Sequence, residues 1–169
     1  MANASDPLAS TIQAAFSELA KTATEVNEVS DALGNIIVEI EDGLKSLNLG
    51  VASWAIISDK SSPDGLKTWR EEVGFDKINK KWCVAVRSLV MAEYAEEYLE
   101  FDQWPFNEAP RWLRIKAVDH LATLLLKLNK DAQNVKQHIS SKVGPAAEVA
   151  KGIKTAVSIK NAQDRGRAK

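Results

Sequence analysis

Every seventh residue from Ile12 is large and apolar: Ile12, Leu19, Val26, Leu33, Ile40 and Leu47. A second row, Phe16, Ala23, Val29, Ile36, Ile37 and Leu44, runs beside it. A seven-residue apolar period keeps one face of a helix against a partner surface over its whole length, so it constrains the fold more than any other feature of the chain. The spacing predicts one acidic helix from Pro7 to about Asn48, some 63 Å long at about 1.5 Å per residue. Asp6-Pro7 supplies an N-cap and a first-turn proline, and Gly50 stands where a helix terminator is expected. Ser30-Asp31 through Gly34-Asn35 is poor in helix formers. The register nevertheless continues from Val26 to Leu33 to Ile40, where a turn would shift it, so the expectation is one helix with a bend allowed there.

The period changes after Gly50. Residues 51–57 (VASWAII) form a short apolar run bounded by turn residues and read as a strand. Residues 58–65 (SDKSSPDG) have the composition of a loop, and 73–78 read as a second strand. Asn79-Lys80 makes a plausible two-residue turn into a third strand over 81–89. There Trp82, Val84 and Val86 alternate with Cys83, Ala85 and Arg87. The expected sheet is antiparallel and three-stranded, within a tryptophan-rich head spanning 51–106. All five tryptophans, Trp54, Trp69, Trp82, Trp104 and Trp112, lie in or beside that segment. Residues 91–106, with Glu93, Glu96, Glu97, Glu100 and Asp102 among Tyr94, Tyr98, Leu99 and Phe101, fit an extension of the third strand, a fourth strand or a short helix.

Helical spacing returns with Asn107 as cap and Pro110 in the first turn. Val118, Leu125, Ala132 and Ile139 repeat at seven, and Leu121, Leu128 and Val135 form a companion row. This predicts a long basic helix over 107–143, stopped by Gly144-Pro145. Residues 144–169 then read as a weak helix and a tail, with Ala146, Val149, Ile153, Ala156 and Val157 on one face. The expected fold class is α+β, a single domain over 1–169. Two long amphipathic helices form an antiparallel coiled-coil-like pair or bundle, and the small sheet is inserted between them. The apolar stripes are wider than one two-helix contact needs. They imply a homodimer or cover by the third helix.

Net charge is only −1 but unevenly spread. Residues 1–50 hold two basic and eight acidic side chains, a net of −6, and residues 110–169 hold thirteen basic and four acidic, a net of +9. Residues 51–109 contribute −4. Either the two ends lie against each other, the favoured reading, or the basic end serves an external polyanion. No run of eighteen apolar residues and no signal-like leader occurs, and the single cysteine, Cys83, cannot form an internal disulfide. Both observations fit a reducing, cytoplasmic setting.

The sequence carries no catalytic, cofactor or metal signature. His120 and His138 stand eighteen residues apart without neighbouring ligands. Cys83 alternates with core residues and reads as a small buried hydrophobe. Residues 59–65 resemble a calcium loop only superficially, because Pro63 and Arg70 occupy positions that need oxygen ligands. The most suggestive local set is Arg111, Trp112, Arg114 and Lys116 with Trp104, in which guanidinium groups stand near indole rings. Its blander reading is that the arginines pair with the acidic segment upstream. Lys151 and Lys154 lie on a basic amphipathic stretch whose Ala/Val/Ile face is weak for membranes. Trp104, Arg111, Trp112, Arg114, Lys151 and Lys154 are therefore the candidate partner-binding residues. The functional expectation is a non-enzymatic interaction or regulatory module without cofactor, which self-associates and binds another protein. A nucleic-acid or anionic-membrane binder working through the basic third is the alternative.

Overall fold

The computed structural model describes the backbone of residues 7–93 and 98–167, and the side chains of 8–93 and 98–159. The order of elements is α1 (Pro7–Ser46), β1 (Ser53–Ser61), β2 (Lys67–Ile78), β3 (Lys81–Ala92), β4 (Tyr98–Pro105), a 3₁₀ turn (Phe106–Glu108), α2 (Arg111–Val118) and α3 (Leu121–Arg167). The class is α+β, as expected, but the sheet has four antiparallel strands in the order β1-β2-β3-β4. The three-strand expectation fails on the acidic, aromatic segment. Tyr98–Pro105 pairs with β3 from Met91↔Tyr98 to Ala85↔Pro105. Without it, β3 would present a free edge beside its buried Val86, Leu89 and Val90. Of the acidic segment, Tyr94, Glu96 and Glu97 lie outside the described residues.

The Asn79-Lys80 turn is present. Both residues have positive φ, 50° and 69°, which matches the twist of the flanking strands. The 58–65 loop is shorter than expected, because β1 runs on to Ser61 and Asp59 pairs with Arg70 across the hairpin at 2.6 Å.

One face of the sheet carries the core. Ala55 lies beside Val73 and Val73 beside Val86, while Phe75 lies beside Val84, so the buried residues of three strands form one patch. Ile37 and Leu44 of α1, Leu113 and Ala117 of α2, and Leu124 and Leu128 of α3 close over it. Leu33 and Ile40, from the other α1 row, are only half-buried against the same core. Polar anchors fix both long helices at one level of the sheet. The Val84 N–H, one residue before β4 pairing begins, donates to Glu41 Oε1 at 3.0 Å. Ser53 Oγ donates to Asp131 Oδ2 at 2.7 Å, and that bond, with the Lys127 ammonium, holds the Asp131 carboxyl below the usual carboxylate range. Ser53, Phe75 and Val84 are consecutive partners across the strands.

On the other face the Trp54 indole lies over Gly74, where a Cβ would come within 2.4 Å of the ring. Its N–H donates to Asp76, and the Arg87 guanidinium stacks 4.0 Å from the ring centre while pairing with buried Glu72. Glycine in this strand is thus required by a close approach.

The helices depart from expectation in three ways. Among the described residues there are three α-helices, not two long ones with a weak third. First, Asn107 does not cap: it lies in the 3₁₀ turn and its Nδ2 donates to Gly34 O at 3.4 Å. Gly34, the soft point of α1, is where that side chain comes closest, and a Cβ there would stand 3.0 Å from Asn107 Oδ1. Second, the basic helix breaks at Asp119-His120, where the His120 N–H bonds back to Ala117 O at 3.0 Å in a tightened turn. The break lets α2, with buried Leu113 and Ala117, pack on β3 while α3, with buried Leu124 and Leu128, packs on β1 and β2. Third, α3 does not stop at Gly144-Pro145 but carries Pro145 inside a 47-residue helix. The carbonyl that Pro145 leaves without its helical donor lies on an exposed segment, where water replaces the lost bond.

The antiparallel helix pair is likewise absent: both long helices lie on the sheet. Among the described residues no ion pair joins α1 to α3.

Replacing Ile37 with Ala should cost about 2–5 kcal/mol, because it empties a fully enclosed site. The same change at Ile12, 59% exposed, should cost well under about 0.5 kcal/mol for a protein kept monomeric by dilution. Denaturant titrations of the two variants check this, and equal losses would contradict the packing described.

Candidate interaction surface

The α1 stripe that docks at Leu33, Ile37, Ile40 and Leu44 continues without a slip toward the N-terminus through Val26, Leu19 and Ile12. Beyond Val26 no described residue covers it: Leu19 is 63% exposed and Phe16 69%. The docked stripe of α3, Leu121, Leu124 and Leu128, is followed toward the C-terminus by Val135, Ile139, Val143, Ile153 and Val157, all exposed, with the register shifting at 124–128–132 and at 135–139–143. Two apolar faces that start in the core and run on into solvent are the most prominent unexplained feature of the surface.

They leave the head on different sides. From the Ser53–Phe75–Val84 level, α1 runs back past Asn107 and α2 to reach its uncovered half, whereas α3 runs forward, away from α2. Arg111 Nη2 donates to Asn27 Oδ1 and Arg114 Nη2 to Ser30 Oγ, both at 3.0 Å, which ties α2 to the middle of α1. Between these helices lies an apolar groove of about 320 Å³ lined by Val26, Val29, Leu33 and Ile115, with Glu25, Arg111 and Arg114 at its rim. Neither arginine has a carboxylate partner among the described residues; Glu96 and Glu97 of the acidic segment expected to pair with them lie outside those residues. Arg114 Nε is buried without a hydrogen-bond partner.

The remaining candidate residues are dispersed. Trp104 is half-buried on β4 against the core. Trp112 is 51% exposed, with the Lys116 ammonium 4.9 Å from its ring centre and that ammonium also paired with Glu71. Lys151 and Lys154 are exposed on the far part of α3, the latter roughly 35 Å along the helix from Asp131. The structure thus brings Arg111 and Arg114 together beside the α1 stripe and places the tryptophans and the α3 lysines elsewhere. The groove was missed by sequence reasoning. The clue available was that Val29 stands one residue off the seven-residue spacing of Phe16, Ala23, Ile37 and Leu44, and that Ile115 is apolar beside Leu113 and Ala117.

Among the described residues no three His, Cys, Asp or Glu side chains gather closely enough to hold a metal. Cys83 is buried in β3, and burial, reinforced by the Glu41 carboxylate, pushes its thiol above the ordinary range. Among the described residues no helix is long and apolar enough to cross a membrane. Comparison of the chain with known protein families, characterised proteins and solved structures finds no match.

Because the thiolate is the reactive form and burial disfavours it, Cys83 should resist a thiol reagent at pH 8 in the folded protein and react at once in denaturant. Rapid labelling of the native state would show the strand open to solvent.

Proposed function

We propose that this protein is a non-enzymatic interaction module that self-associates through the uncovered halves of α1 and α3, the sheet serving as the rigid head that positions them. The observation that carries the reading is the continuity of each stripe. The same row of side chains that α1 buries at Ile37 and Leu44 is presented to water at Phe16, and the row of half-buried Leu33 and Ile40 is presented at Leu19. Exposed apolar rows at coiled-coil spacing on a helix of 40 residues are stabilised by a second helix. A reducing, cytoplasmic setting agrees with the one buried thiol.

A second reading rests on the α3 lysines. Lys136, Lys142, Lys151 and Lys154 have no carboxylate partner among the described residues and face solvent, as a polyanion-binding arm requires.

Two measurements separate the readings. Sedimentation equilibrium at micromolar concentration should give a dimer or larger species rather than the 18.5 kDa monomer. Leu19→Glu or Ile139→Glu should dissociate it without loss of the sheet signal in circular dichroism. A monomer throughout would remove the first reading. Salt titration of binding to duplex DNA should show a log–log slope near one or no binding. A slope of several units, lost on truncation after Val143, would establish the second reading, since each phosphate contact contributes about 0.9 units.

A further inference from the structure

The groove between α1 and α2 combines two chemistries. Its walls are apolar, formed by Val26, Val29 and Leu33 of α1 and by Ile115 of α2. From Val26 to Leu33 the α1 wall is about 10 Å long, the reach of a short alkyl chain. The volume of about 320 Å³ lies at the lower end of the range for small-molecule sites.

The rim is cationic. Arg111 and Arg114 stand three residues apart on α2 and so share one of its faces. Each guanidinium is held on a neutral acceptor of α1, Asn27 Oδ1 or Ser30 Oγ, at 3.0 Å. These bonds orient the side chains without neutralising either charge. Arg114 is half-buried, and its Nε–H finds no acceptor among the described residues. Nearby carboxylates leave the charge in place. Glu25 on the rim lies 3.9 Å from Lys21. Asp31 shares a separate polar hollow with Arg114, and among the described residues no ion pair joins them. A guanidinium presents its donors in a planar fork that matches a carboxylate. Beside apolar walls its attraction for an anion is screened less than in open water.

We propose that this groove binds a free medium-chain carboxylate, its alkyl tail along Val26, Val29 and Ile115 and its head on Arg111 and Arg114. The combination of walls and rim selects that ligand. A neutral apolar molecule would leave both guanidiniums without a counter-charge. A small inorganic anion would leave the walls wet, and a cationic amphiphile would meet two like charges. The inference does not depend on self-association, because α1 and α2 of a single chain build the groove where the α1 stripe leaves the core.

Octanoate is the test ligand, titrated into the full-length protein and followed by amide and methyl chemical shifts. Saturable shifts at Val26, Val29 and Ile115 are expected. Octylammonium has the same tail with the opposite charge, and acetate has the head alone. Each should bind about tenfold or more weakly. Arg111→Gln combined with Arg114→Gln should weaken octanoate by about tenfold or more, the loss expected for a charge-assisted hydrogen bond. Octanol, which needs no cation, should bind the double variant and the wild type alike, showing that the walls persist. Absence of saturable shifts with octanoate would overturn the proposal. So would equal binding of octylammonium, or undiminished octanoate binding by the double variant. Leu19→Glu separates the ligand from self-association, since Leu19 lies about 10 Å along α1 from Val26. Octanoate should bind this variant as it binds the wild type. Binding by Leu19→Glu alone would mean that a second copy fills the groove of the wild type, which would overturn the ligand and leave the self-association reading standing.

Discussion

A helix can be covered only as far as the surface beneath it extends, and this chain is built on a mismatch of lengths. The longest strands have twelve residues, about 40 Å at 3.3 Å per residue. The helices α1 and α3, with 40 and 47 residues, reach roughly 60 and 70 Å. Because they lie on the sheet instead of along each other, each must overhang it. The overhanging part of each keeps the apolar face that its docked part buries. The open stripes and the solvent-facing lysines of α3 follow from that one geometric fact.

Docking is fixed by packing and sharpened by a few buried polar contacts. Ile37, Leu113 and Leu124 come from three helices and meet over Val73, Val84 and Val86, so the core depends on the sheet being wide enough to take all three. Glu41 on the Val84 N–H and Asp131 on the Ser53 hydroxyl then set where along the strands each helix sits. A buried donor left without an acceptor costs about 1–3 kcal/mol, so these contacts penalise a slid helix more than they strengthen the correct one. Where α1 and α3 sit determines which halves remain outside, which makes these contacts relevant to function as well as to stability.

The uncovered halves differ from an ordinary surface in being periodic. Scattered apolar residues on a protein surface need no explanation. Rows at four- and three-residue spacing, continuous with buried rows, have the pattern of a helix seam. The Asp119-His120 break contributes by redirecting the chain. It sends α3 across β1 and β2 and away from α2, which separates the two stripes.

Much of this was legible in the residues. Local periodicity determined α1 from Pro7 onward, the three strands around Asn79-Lys80, the inward face of Trp82, Val84 and Val86, and the charge division between the ends. Each of these depends on side-chain spacing along one element, which a sequence records directly. The tertiary structure alone decided four things: the pairing of Tyr98–Pro105 as a fourth strand, the break at Asp119-His120, the passage of α3 through Pro145 and the failure of the two long helices to pair. The fourth strand forms because β3 has a free edge to satisfy. The break occurs because successive turns of one apolar stripe pack on different elements, although neither residue is a helix breaker. Pro145 is tolerated because the surrounding turn lies in water. The helices stay apart because a broad apolar sheet offers each a larger burial surface than a narrow seam would, and no pattern within either helix records that competition.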